Sequence, residues 1–99
     1  MADDNDFGFV PPPFDAGNAL QQLKRALRDL KLAERGSGFE LRGKAVVQLV
    51  VEDGAIAARL ARRLAITPEW DRIAVRSGAD QRKLVDEIKR RLERWQGED

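Results

Sequence analysis

The apolar residues of this chain change rhythm from one segment to the next. The strongest run is Ala45-Val46-Val47-Gln48-Leu49-Val50-Val51, bracketed by Arg42-Gly43 and Asp53-Gly54. A Val-rich run of this length between turn residues predicts a strand buried on most of both faces. Ala45, Val47, Leu49 and Val51 make one wholly apolar row, while Val46, Gln48 and Val50 make a row broken by an amide. The strand is therefore expected to be central, with unequal faces. Just before it, Phe39-Glu40-Leu41 alternates and Arg42-Gly43 turns the chain, which predicts a hairpin.

Elsewhere the rhythm is helical. Leu20, Leu23, Leu27 and Leu30 form a narrow stripe that predicts a helix over 16–35, capped by Asp15 and ended by Gly36-Ser37-Gly38. Asp53 reads as the N-cap of a second helix reaching Ala65. Ile56, Leu60 and Leu64 would lie on one side of it and Arg59, Arg62 and Arg63 on the other. Its alanines would make it thin enough to pack close to a sheet. Thr67-Pro68-Glu69 has the order of a helix start, so one helical turn is expected over 68–71. The alternating Arg72-Ile73-Ala74-Val75-Arg76 then predicts a strand. Ser77 and Asp80 form a capping-box variant that opens the last helix. Leu84, Val85, Ile88, Leu92 and Trp95 share its buried arc, and Asp86–Arg90 and Glu87–Arg91 are acid-first pairs on its outer face.

The predicted order is α-β-β-α-β-α. It implies an α+β domain over 15–97, with a three-stranded mixed sheet packed with three helices. A right-handed crossover would make the second and third strands parallel. Residues 1–14 read as a flexible tail, because Pro11-Pro12-Pro13 and the Asp, Asn and Gly before them nucleate neither helix nor central strand.

Composition narrows the chemistry. The 99 residues contain no His, Cys or Tyr. That excludes Ser-His-Asp and Cys-His catalysis within one chain, together with disulfides and the commonest soft metal ligands. The expectation is a non-enzymatic protein without cofactor or metal. The chain has neither a transmembrane run nor a signal-peptide pattern, so a cytoplasmic location is expected. Charge is uneven: residues 1–15 carry four acidic groups and no basic one, leaving 18 basic against 13 acidic in the remainder, a net of +5. The excess of Arg over Lys has a bland reading in a G+C-rich genome.

Two candidate surfaces follow. Phe7, Phe9, Pro11, Pro12, Pro13 and Phe14 form an aromatic, proline-rich element suited to docking on a partner, or on the chain's own domain. Arg59, Arg62, Arg63, Arg76, Ser77, Arg82 and Lys83 are candidate anion or nucleic-acid contacts, the last four at a strand-to-helix junction whose free N–H groups attract anions. Basic residues also cluster at Lys24, Arg25, Arg28 and Lys31 and at Lys89, Arg90, Arg91 and Arg94, as solvated helix faces commonly do. Leu60-Ala61-Arg62-Arg63-Leu64-Ala65-Ile66-Thr67 resembles the first half of a helix-turn-helix, but Ala65 replaces the turn glycine and the following apolar residues fall out of register. The leading expectation is an interaction module that binds another protein or itself. The alternative is a nucleic-acid-binding protein whose acidic tail competes for the Arg faces.

Overall fold

The structure, a computed structural model, describes residues 13–97; the expectations placed on Phe7, Phe9, Pro11 and Pro12 lie outside the described residues. Helix α1 (Ala16–Asp29) is followed by strands β1 (Ala33–Arg35), β2 (Gly38–Leu41), β3 (Lys44–Glu52), β4 (Ala55–Ala61) and β5 (Trp70–Val75), and helix α2 (Gly78–Gln96) closes the chain. The strands form one sheet in the order β1-β2-β3-β4-β5, every pair antiparallel. The α+β class stands, but the three-stranded mixed sheet with three helices does not. Among the described residues there are five strands and two helices, and no crossover.

The correction turns on Asp53-Gly54. Asp53 has φ 52° and Gly54 has φ 74°. Two successive positive φ values make the tight turn whose twist matches a hairpin, and Asp-Gly is among its preferred sequences. A helix N-cap needs an extended backbone instead. The chain therefore reverses in two residues and pairs β4 against β3, from Glu52↔Ala55 to Val47↔Leu60. Arg42-Gly43 repeats the geometry with φ 55° and 78°, as the predicted β2–β3 hairpin requires. Within β4 the burial alternates: Ile56, Ala58 and Leu60 are buried, Ala57 is half-buried and Arg59 is exposed. Leu60 and Leu64 therefore do not share a helix face. Residues 62–69 form an irregular loop, without the helical turn expected at 68–71, and the helix-turn-helix likeness falls on β4 and this loop.

Helix α1 is shorter than its stripe suggested. Leu30 is its C-cap and Lys31 turns left-handed with φ 71°. The Leu32 N–H then reaches the Leu27 carbonyl (3.2 Å) and the Lys31 N–H the Arg28 carbonyl (2.9 Å). This paired closure satisfies the last turn and seats buried Leu32 beside buried Leu27. The released residues 33–35 become β1.

One core fills the space between the helices and one side of the sheet. Leu23 and Leu27 of α1 and Leu84, Ile88, Leu92 and Trp95 of α2 join Phe39, Val46, Val47, Leu49, Ile56, Leu60 and Val75. Each fully buried leucine here contributes about 2 kcal/mol. Of the predicted arc of α2, Leu84, Ile88, Leu92 and Trp95 are buried and Val85 is half-buried, and Trp95 donates its ring N–H to the Ala61 carbonyl at 3.2 Å. The reading of β3 needs two changes: the strand is not buried on both faces, since Gln48 is half-buried and Val50, Val51 and Glu52 are exposed where no helix covers them, and its two rows are not regular. A register shift opposite Phe39/Glu40 lets Val46 and Val47 both enter the core. Gly38 sits where β2 approaches β3 most closely: a Cβ there would lie 2.7 Å from the Val47 carbonyl oxygen.

Candidate functional site: an open sheet face

The register divides the sheet. Ile56/Val75, Ala58/Ile73 and Leu60/Asp71 are on the helix side; Ala57/Ala74, Arg59/Arg72 and Ala61/Trp70 are on the other. Strand β3 adds Gln48 beside Arg59, Val50 beside Ala57 and Glu52 beside Ala55 to that second side. Both helices pack on the first side, so the second faces solvent. Val50 is 45% exposed there, and Arg59, Arg72 and Ala74 are exposed. Trp70, half-buried, ends the row.

The charges on this face are unusual in their partners. Arg59 and Arg72 are directly opposite across β4 and β5. The Arg62 N–H to Glu69 carbonyl bond (2.9 Å) continues the same ladder. Counting rungs from it, Arg59/Arg72 is a non-hydrogen-bonded pair, the kind in which facing side chains come closest. Like charges so placed repel. Among the described residues no carboxylate lies in ion-pairing distance of either guanidinium, nor of Arg76. Arg59 and Arg72 rim a shallow hollow of about 290 Å³ floored by Ala57 and Ala74, with Glu52 at its edge. Arg76 lines the adjoining hollow of about 210 Å³ with Ala55, Ala57 and Ala74, and Glu52 and Asp53 stand at its edge.

A second arginine cluster sits on the helix side, in a hollow of about 550 Å³ under the β4–β5 loop. Here the charges are engaged. Arg62 Nε donates to Asp71 at 2.8 Å, and Arg91 reaches Asp71 at 2.9 Å and Glu87 at 2.7 Å. Arg91 also donates to the Leu60 and Ala61 carbonyls, and Arg94 to the Arg62 carbonyl at 2.7 Å. The Arg62 hydrogen bond, reinforced by Arg91, holds the Asp71 carboxyl below its ordinary range. Arg91 does the same to Glu87, and Arg62 is pushed up in turn by Asp71. At the other edge, Arg28 and Lys24 clasp Glu34 at 2.8 and 3.3 Å, and its carboxyl is lowered, chiefly by Arg28.

The residues singled out from sequence thus separate. Arg59 and Arg76 are on the open face; Arg62 is tied into the Asp71 network; Arg63 is exposed on the loop. Ser77 is the α2 N-cap, its hydroxyl accepting the Asp80 N–H at 3.1 Å. The Asp80 carboxylate accepts the Arg76 N–H at 3.0 Å, so an acidic group already stands at the helix start. Arg82 and Lys83 are exposed on the first turns of α2. The Glu87–Arg91 pair forms, but half-buried against the sheet end instead of on an outer face, and Arg90 pairs with Glu87 at 3.0 Å. Pro13 is exposed, while Phe14 packs against the domain's own core. Arg72 is the site residue that sequence reasoning passed over; its signal was the alternation Arg72-Ile73-Ala74-Val75-Arg76.

Among the described residues no group of His, Cys, Asp and Glu side chains could hold a metal ion, and no helix is long and apolar enough to cross a membrane. No known protein family matches the chain, and no curated protein or solved structure is similar to it.

Proposed function

We propose that the protein is a non-enzymatic binding module that takes an acidic protein segment on the open face of its sheet. The observation that carries this reading is the Arg59/Arg72 pair, held side by side with no carboxylate in ion-pairing distance among the described residues, with Arg76 further along the same row, over hollows floored by small apolar side chains and edged by Glu52 and Asp53. A carboxylate between the two guanidiniums would relieve their repulsion and accept charge-assisted hydrogen bonds from both. Apolar neighbours of that carboxylate would cover Val50, Ala57 and Ala74. The missing His and Cys favour binding over catalysis.

A nucleic acid is the second reading, favoured by Trp70 in the same row as Arg72. Glu52 and Glu40 weigh against it. Register places both on the open side; a phosphate backbone carries charge at every step and cannot avoid them, whereas a peptide can place an apolar residue beside them.

Fluorescence anisotropy separates the readings. A labelled peptide of alternating Glu and Leu is expected to bind at 50 mM salt and to lose at least tenfold in affinity on R59E/R72E. A single-stranded DNA or RNA probe of equal charge is expected to bind more weakly. Equal peptide affinity for the wild-type chain and R59E/R72E overturns the reading. Tighter nucleic-acid binding with a steep salt slope transfers it to the second.

A further inference from the structure

We propose that the face has an occupant within the chain: the segment Asp3–Val10 docks across Arg76, Arg72 and Arg59 and masks them from other ligands. This rests on the reading of the open face as an acceptor of acidic segments.

Continuity is the first argument. The described chain begins at Pro13, which lines a hollow of about 440 Å³ together with Phe14, Arg76 and Ser77. Arg76 also lines the hollow floored by Ala55, Ala57 and Ala74. It therefore stands between the point where residues 1–12 leave and the face itself. Length is the second. From Arg76 to Arg72 is four residues of strand, about 13 Å, and Arg59 is one strand further, about 5 Å. Twelve residues reach up to about 40 Å when extended.

Charge and shape are the third. Residues 1–12 carry Asp3, Asp4 and Asp6 and no basic side chain, against three arginines that lack a carboxylate among the described residues. Phe7, Phe9 and Val10 supply the apolar area that Val50, Ala57 and Ala74 leave exposed or half-exposed. A tethered segment needs little intrinsic affinity. At an effective concentration of about 1 mM, an intrinsic Kd of about 100 µM masks the face about tenfold.

The absence of cysteine permits a direct test. A nitroxide on N5C in the full chain is expected to broaden the amide signals of Val50, Ala57, Arg72 and Ala74. It should leave Lys89 and Glu93 on α2 sharp. The broadening should fade at 0.5 M salt, in R59E/R72E, and in a D3N/D4N/D6N background. Absent or even broadening, or broadening indifferent to R59E/R72E, overturns the proposal. D3N/D4N/D6N should also bind the Glu-Leu peptide about tenfold more tightly than the wild-type chain. Unchanged affinity with no localised broadening removes the occupant and leaves the acceptor reading intact. Localised broadening with no peptide binding to either chain supports the occupant and removes the acceptor reading for partners.

Discussion

The two arginine clusters of this protein lie on opposite sides of one sheet and are opposite in character. Arg62, Arg91 and Arg94 point into the helix side of the sheet end, and each donates to a carboxylate or a backbone carbonyl. Arg59 and Arg72 point away from the helices and face each other with no carboxylate in reach among the described residues. The first cluster holds the fold: it ties the β4–β5 loop, the end of β4 and α2 together. The second gives up some stability for an exposed concentration of charge. Arginine count alone could not tell them apart; the difference is which side of a pleated strand each residue occupies.

The contrast can be broken most forcefully at Arg91, whose side chain is only 13% exposed. R91L removes a donor shared by Asp71, Glu87 and the Leu60 and Ala61 carbonyls, leaving Asp71 to Arg62, Glu87 to Arg90 and the Ala61 carbonyl to Trp95, and should cost about 2 kcal/mol in urea denaturation. A loss as small as that of R59A, within about 0.5 kcal/mol, would erase the distinction. Next in size is the binding effect on the open face. R59A and R72A should each weaken the Glu-Leu peptide about tenfold, or roughly 1.4 kcal/mol, while R63A leaves it unchanged.

Acid should sharpen the comparison further. Asp71, Glu87 and Glu34 all have folded values below their unfolded ones. Their contribution is therefore complete above the unfolded carboxylate range, about pH 4, and is lost as pH falls through the lowered folded values. With no His in the chain, Tm should stay level between pH 5 and 7 and decline only below about 4.5. D71N should flatten the acid limb, and R59A should not change it. The smallest effect is the repulsion itself. R72T should raise stability by a few tenths of a kcal/mol, because a threonine opposite Arg59 removes a like-charge pair and keeps β propensity.

Part of this was legible in advance. The Val-rich run as a strand, the Arg42-Gly43 hairpin, a strand through Arg72–Val75 (observed as Trp70–Val75) and most of the buried arc of α2 follow from local pattern and recur in the structure. Strand β4 was misread because Ala-Ile-Ala-Ala-Arg-Leu-Ala satisfies both rhythms. Alanine favours helix, and Ile56 and Leu60 are four apart, as on a helix face, yet also an even number apart, as on a strand face. The deciding residue pair was Asp53-Gly54, which serves as a cap only if the backbone is extended. That misreading hid the site. On a helix, Arg59, Arg62 and Arg63 share a face; on a strand and its following loop, Arg59 and Arg62 point to opposite sides. Arg72 then gains its meaning only from standing opposite Arg59, a long-range relation that no spacing within either segment contains.

The plain up-and-down order of the sheet also bears on how the chain assembles during synthesis. Every strand pairs with its sequence neighbour, so each hairpin can close soon after its second strand appears. The surface that Ile56, Leu60 and Val75 present, however, waits for Leu84, Ile88 and Trp95, which come from the final helix. Until the last turns of α2 leave the ribosome, the nascent sheet carries an uncovered greasy side. That is the interval in which a chaperone would find the most to hold.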